Sequence, residues 1–239
     1  MGDPCDPRQY RATPAARHPY PAPVDPIVAA ARDNADWCAA VCAGHGLTGV
    51  VDADAWSVPR RSPPLYPDAV TLRRGVDPDA LPARIDAGPG ASVKDSFADL
   101  DLRRYGFRVL FAADWIHRPP VDPPAGPALT PVTTTGALAR WAAAHGGGPV
   151  FRPALLADPR VTLLARYAPD GGVTGGAVLT RGPRVTGVSN VFGADVWPAV
   201  CRSAPPGVAL VGYESGDDLA AAARAGFSTV GPLRIWLRD

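Results

Sequence analysis

The second half of the chain changes between apolar and polar segments in a regular order. Residues 129–238 predict a strand, a helix, a short helix, three strands, a helix, a strand, a helix and a final strand. The clearest part is 208–238, where the apolar segment VALVGYE leads into the Ala-rich helix DDLAAAARAG. A Gly-Phe pair then ends the helix and the strand STVGPLRIWLR follows. This order predicts an α/β fold (α+β), with a mixed central sheet flanked by helices.

The first half has a weaker pattern with one related segment. Pro26–Gly44 predicts a helix, 47–67 is irregular, 69–72 suits a short strand and 78–85 a short helix. Residues 91–118 then predict a strand or loop, a helix, a Gly-Phe pair and a strand, as in 208–238. The N-terminal region is therefore a candidate partial repeat of the C-terminal one, with Trp115 aligned to Trp236. Such a repeat would place a cleft where the two halves meet.

Proline-rich segments divide the chain. Residues 1–26 contain seven prolines without periodicity and predict a disordered arm, and 119–131 contain six prolines and predict a linker. Four parts follow from these boundaries: the arm 1–26, an N-terminal α/β region 27–118, the Pro-rich linker 119–131 and a C-terminal domain 132–239.

The element order of 128–238 resembles the GNAT superfamily of acyl-CoA-dependent N-acyltransferases. The most similar local feature is the helix that ends in Gly226-Phe227 and leads into the last strand. The resemblance implies that two central strands, here 185–192 and 208–214, splay apart, and that the pantetheine arm of acetyl-CoA lies between them. It implies CoA contacts from Val188, Ser189, Asn190, Val191, Phe192 and Gly193.

The chain departs from the superfamily pattern at two places. The glycine-rich pyrophosphate loop is replaced by SNVFGADVW (189–197), in which Asp195 lies close to a helix start and would repel phosphate. The superfamily often carries a Tyr that protonates the leaving thiolate in its last helix, and the matching position here is Ala222. The alternative to an enzyme is therefore a non-catalytic ligand-binding or regulatory module on a degenerate GNAT scaffold.

Acyl transfer to an amine needs a base and a donor for the thioester oxygen. Glu214, at the carboxyl end of a predicted strand, is the candidate base, and Tyr213 beside it is a candidate donor or acid. Because neighbouring strand residues point to opposite faces, we expect only one of them in the cleft. Packing of Tyr213 and turn formation by Glu214 is the competing interpretation. Lys94, the only lysine among 24 basic residues, is either a buried functional amine or one half of a surface ion pair.

Composition limits the classes of partner that the protein is expected to bind. A net charge of +1 argues against a nucleic-acid surface, and the sequence has neither a signal-peptide pattern nor a transmembrane run. Arg-rich usage is typical of a GC-rich bacterial genome. We expect a cytoplasmic protein that acts on a small-molecule amine or a protein amine, and a homodimer stays open. Cys38, Cys42 and His45 share a helix face, but without a second ligand pair we expect small buried residues and no metal.

Overall fold

The computed structural model describes residues 25–239. The predicted arm, which contains Cys5, therefore lies almost wholly outside the described residues. The regular elements are α1 (Pro26–Gly44), β1 (Val50–Val51), β2 (Ala55–Ser57), β3 (Ala69–Thr71), β4 (Ser92–Asp95), β5 (Phe107–Arg118), β6 (Thr130–Pro131), α2 (Thr135–His145), β7 (Val161–Tyr167), β8 (Val173–Arg181), β9 (Val185–Phe192), α3 (Trp197–Ser203), β10 (Ala209–Glu214), α4 (Gly216–Arg224) and β11 (Ser228–Arg238).

Most predicted elements are present, and the local chemistry explains their limits. Helix α1 begins at Pro26, and the side chain of Asp25 accepts a hydrogen bond from the backbone N–H of Ile27. Three short predicted helices are wrong: each is a single 3₁₀ turn, at Pro82–Arg84, Arg103–Tyr105 and Pro153–Leu156. These segments are too short and too rich in Pro and Gly to propagate an α-helix. The interval 47–67, predicted irregular, contains β1 and β2.

All eleven strands form one sheet in the order β1-β2-β3-β4-β11-β5-β10-β9-β8-β7-β6. Strand β5 of the N-terminal region lies between β10 and β11 and is antiparallel to both. Strand β6, at the end of the Pro-rich segment, pairs with β7 at the sheet edge. The N-terminal and C-terminal regions thus share one sheet through exchanged strands. Their division into separately folding units stays a prediction.

The strand order is nearly the same when read from either end. Strands β1 to β5 correspond to β7 to β11, and the final strand of each unit pairs with the fourth strand of the other. Among the described residues the only parallel neighbours are β3 with β4 and β9 with β10, which are equivalent pairs. This is the arrangement that a shortened repeat predicts, with a 3₁₀ turn in the place of α4.

The two Gly-Phe pairs fix the alignment of the units. Gly106 and Gly226 have φ values of 79° and 89°, and the backbone N–H of each following Phe donates to the carbonyl five residues before it. These glycines are 120 residues apart, and the same separation relates Trp115 to Ile235, which share one core cluster. The predicted match of Trp115 with Trp236 is therefore wrong by one residue, and the counterpart of Trp236 is Ile116.

Helices cover both faces of the sheet. The longest, α1, lies across the strands that meet at the centre, where Ile27, Ala30 and Ala31 pack with Trp115 and Leu233. Helices α3 and α4 cover the opposite face of the C-terminal unit through Trp197, Val200 and Ala222. In the described part of the chain, no helix combines the length and apolar character that a membrane crossing requires.

Candidate functional site

Strands β9 and β10 separate at their carboxyl ends. They pair only where Ala209–Val211 meets Val185–Gly187, so the backbone of 188–192 has no partner in β10. Beyond Val188, β9 contains a bulge opposite β8, and Asn190 adopts a left-handed conformation with φ of 53°. The opening expected from the splayed strands is therefore present, and it is produced where β9 bends away.

An open cavity of about 180 Å³ lies at this opening. The strand ends contribute Ser189, Asn190, Val191, Tyr213 and Glu214 to its wall. The expectation that only one of Tyr213 and Glu214 would face the cleft is wrong. Glu214 is the last residue of β10, where the chain turns into α4, and both residues border the cavity.

Glu214 is the half-buried carboxyl of this site. Burial raises its pKa to about 8, and the nearby carboxylate of Asp218 raises it further in the same direction. A carboxyl with this pKa can gain and lose a proton near neutral pH, as a general base must. Glu214 is also the only glutamate among 23 acidic residues, so the composition alone already distinguishes it.

Lys94 enters the same cavity from β4. It is 2% exposed, and its Nζ donates a hydrogen bond of 2.7 Å to Oδ1 of Asn34 on α1. Nζ also lies 4.1 Å from the centroid of the Tyr213 ring, a cation–π contact. Lys94 pairs with Ile235, and Tyr213 pairs with Trp115, so the two side chains occupy equivalent positions of the two units. Of the two interpretations of Lys94, the structure supports the buried amine.

A second group of polar side chains orders the β9 bulge. The phenol of Tyr66 donates to Oδ1 of Asn190 at 3.3 Å, and Nδ2 of Asn190 donates to Oγ of Ser189 at 3.0 Å. Burial raises the pKa of Tyr66 well above its usual value, so the phenol stays protonated and remains a donor. This chain of bonds fixes the unpaired backbone beside the opening.

A second, larger cavity of about 560 Å³ adjoins the first. Lys94, Tyr66 and Tyr213 line both cavities and form the boundary between them. The walls of the second are mostly apolar, from Leu65, Leu110, Phe111, Ile235 and Leu237. It lies at the junction of the two units, where the repeat predicted a cleft.

The connection from β9 to α3 differs chemically from both cavities. Phe192, Gly193 and Asp195 line a third cavity of about 360 Å³ together with Asp217, Asp218 and Arg224. A side chain at Gly193 would clash with the carbonyl of Thr174, so the loop is held tightly against β8. Three carboxylates and one guanidinium make this an acidic surface.

The predicted CoA contacts are thus divided between two cavities. Ser189, Asn190 and Val191 line the first, Val191, Phe192 and Gly193 line the third, and Val188 is buried in the core of the C-terminal unit. Their role in binding stays a prediction.

The two cysteines of α1 are buried, as expected for residues with a packing role. Cys38 borders the first cavity, and Cys42 packs in the core; burial raises their pKa values to about 11 and about 12. The ring of His45 is turned away to Val150, whose carbonyl lies 2.9 Å from Nε2. Within residues 25–239, no cluster of three or more His, Cys, Asp or Glu side chains could hold a metal ion.

No protein-family model matches the chain, and no curated protein matches it significantly. Solved structures do match. A GCN5-related N-acetyltransferase from Kribbella flavida superimposes with a TM-score of 0.57 at 17% identity, over 88% of this chain and 95% of that one. A putative GNAT-family acetyltransferase from Novosphingobium aromaticivorans gives 0.54 at 13%, over 87% and 99%. A functionally unknown conserved protein from Staphylococcus epidermidis gives 0.52 at 11%, over 80% and 93%.

These likenesses show the class of fold. The chain has the GNAT acyltransferase fold over most of its length, including the N-terminal region. The fold predicted from 128–238 is therefore confirmed.

Proposed function

We propose that the protein is an N-acyltransferase that moves an acetyl or other acyl group from CoA to an amine. The observation that carries the proposal is the opening between β9 and β10, with the Glu214 carboxyl on its rim. Fold alone does not define a reaction, so the proposal depends on this site.

The residues beside the opening suit the pantetheine end of acyl-CoA better than its nucleotide end. The unpaired backbone of 188–192 suits the amide-bearing pantetheine arm, which needs hydrogen-bond partners along a strand. At the third cavity, Arg224 would hold the diphosphate, while Asp195 and Asp217 oppose it. The fit is sufficient for an acylated pantetheine and weak for the nucleotide. When bound, acyl-CoA supplies an acyl group activated as a thioester.

The chain's own residues move the protons. The Glu214 carboxylate takes one proton from the ammonium of the acceptor and leaves a neutral amine. Formation of the N–C bond and breakage of the C–S bond then release the second amine proton, which restores the group that protonates the sulfur. The sulfur leaves with the bonding pair and gains a proton from that group. With Ala222 in the position of the usual tyrosine, we assign the donor of that proton to the phenol of Tyr213.

The alternative is a binding module without catalysis. The acidic third cavity and Ala222 favour it, because both remove groups on which acyl transfer from CoA usually depends. The two functions differ in whether acyl-CoA binds at the opening.

Binding of acetyl-CoA tests the proposal, and Asp217→Asn sharpens the test. Removal of one carboxylate beside the diphosphate should tighten acetyl-CoA binding by about fivefold at low salt, since one opposing charge contributes roughly 1 kcal/mol near a surface. Calorimetry with acetyl-CoA and with S-acetylpantetheine, which has no diphosphate, measures this. The matched control is Asp170→Asn in the β7–β8 turn, which does not line the third cavity. Equal affinity of all three proteins for acetyl-CoA would place the diphosphate elsewhere, and no binding of either thioester would favour the module.

A further inference from the structure

Lys94 is a buried cation without a carboxylate partner in the described part of the chain. The ion pairs formed within residues 25–239 do not include it, and its contacts are the neutral Asn34 amide and the Tyr213 ring. A lysine ammonium has three donor hydrogens, and only one is used by Asn34. A buried charge is costly unless it is paired, so a bound anion would complete this site.

Glu214 does not provide that anion. Lys94 and Glu214 line the same 180 Å³ cavity, yet they form no ion pair with each other. They are the chain's only lysine and only glutamate, in a sequence that otherwise uses 23 Arg and 22 Asp for its charges. A ligand that carries one positive and one negative group close together would match both side chains at once.

The adjoining apolar cavity determines the chemical character of the rest of the ligand. It begins at Lys94 and Tyr213 and continues between Leu110, Phe111, Ile235 and Leu237. Arg61 also lines this cavity, but its guanidinium already binds backbone carbonyls of residues 86–89 and pairs with Asp68 and Asp86. The part of a ligand that extends past Lys94 would therefore be apolar.

We propose that the acceptor is a small α-amino acid with an apolar side chain, whose carboxylate binds Nζ of Lys94. Its amine faces Glu214, a placement that rests on the acyltransferase function proposed above, and its side chain enters the second cavity. The product is an N-acyl amino acid. The carboxylate anchor also positions the amine, because the α-nitrogen is only two bonds away from the bound carboxyl carbon.

The single lysine permits a direct test. In protein labelled with ¹³C at lysine Cε, one side-chain signal reports Lys94. L-leucine should shift this signal in a saturable manner, and 4-methylpentanoate, which keeps the carboxylate, should shift it too. L-leucinamide and 3-methylbutylamine, which lack the carboxylate, should leave it in place.

Two variants change the charge in opposite ways. Lys94→Met removes the cation at similar volume, and Asn34→Asp gives it a carboxylate from within the chain. Each should weaken L-leucine binding by about tenfold or more in calorimetry while L-leucinamide binds as before, since a charge-assisted hydrogen bond is lost. Circular dichroism establishes that each variant is folded. The proposal would be overturned if the wild-type protein bound L-leucine and L-leucinamide with equal affinity. It would also be overturned if folded Lys94→Met kept the wild-type preference for L-leucine.

The carboxylate could instead belong to the acyl group, and a further arm separates the two sources. If succinyl-CoA shifts the Lys94 signal and neither acetyl-CoA nor L-leucine does, the acceptor assignment is wrong. The test also separates this inference from the proposed function. L-leucine binding through Lys94 without any acetyl-CoA binding would support the carboxylate site and reject acyl transfer. Acetylation of simple amines with no L-leucine binding would reject the carboxylate site alone.

Discussion

Glu214→Gln should lower kcat/KM for acyl transfer by about 10²- to 10⁴-fold, the range that a lost general base produces. The amide keeps the shape of the side chain but cannot take a proton from the acceptor ammonium. Because Glu214 is half-buried and makes no side-chain hydrogen bond with residues 25–239, the substitution leaves the surrounding bonds intact. Initial rates of free thiol release from acetyl-CoA, with a saturating amine, measure the effect.

The pH dependence of the rate separates a base from a merely structural residue. The wild-type rate should rise with pH and level off above the Glu214 pKa of about 8, because only the carboxylate form accepts a proton. Asp218→Asn removes a carboxylate that raises this pKa, so its midpoint should move to lower pH. Asp217→Asn, one residue away, is the matched control and should keep the wild-type midpoint. If the rate of Glu214→Gln still rises with pH at the wild-type midpoint, Glu214 is not the base.

Trp115→Ala should lower the free energy of unfolding by about 3–5 kcal/mol, the usual loss for a fully buried large aromatic side chain. Trp115 has no exposed surface, packs edge-to-face on Tyr213 at 5.7 Å and donates from Nε1 to the Ser96 carbonyl at 2.7 Å. It lies on β5, the strand that joins β10 to β11, so the cavity it leaves weakens both units.

A matched control lies on the same strand. Phe111 is 41% exposed, and Phe111→Ala should cost less than about 1.5 kcal/mol, since a large part of its surface is already in water. Urea unfolding followed by tryptophan fluorescence and circular dichroism compares the two variants. Equal destabilisation by both would contradict the central position assigned to Trp115.

Local sequence signals were sufficient for the elements that carry the GNAT-like order. Pro26 after Asp25 fixes the start of α1, and Gly226-Phe227 fixes the end of α4, since both depend on residues within one helical turn. The 3₁₀ turn at Arg103–Tyr105 was predicted as a helix because its Gly-Phe end is the same as that of α4. What it lacks is length, which a capping signal does not report.

Only part of the candidate site could be predicted from the sequence. Glu214 and Tyr213 follow from their place at the end of an apolar strand, but their meeting with Lys94 depends on the exchange of β5 and β11 between the units. No local pattern encodes a pairing across more than a hundred residues. Composition did hold a usable signal: a chain that uses one lysine and one glutamate keeps both in the wall of one cavity.

The most direct test of the account is the formation of an N-acetylated product from acetyl-CoA. Purified protein at a pH above the Glu214 pKa of about 8 is incubated with acetyl-CoA and a panel of amines, including apolar amino acids, simple alkylamines and peptides with free N-termini. Mass spectrometry detects the products, and Glu214→Gln serves as the control. We expect an acetylated amine whose amount scales with wild-type enzyme and falls to the uncatalysed level with Glu214→Gln. Folded protein that binds acetyl-CoA and acetylates none of these amines, or a Glu214→Gln variant as active as the wild type, would contradict it.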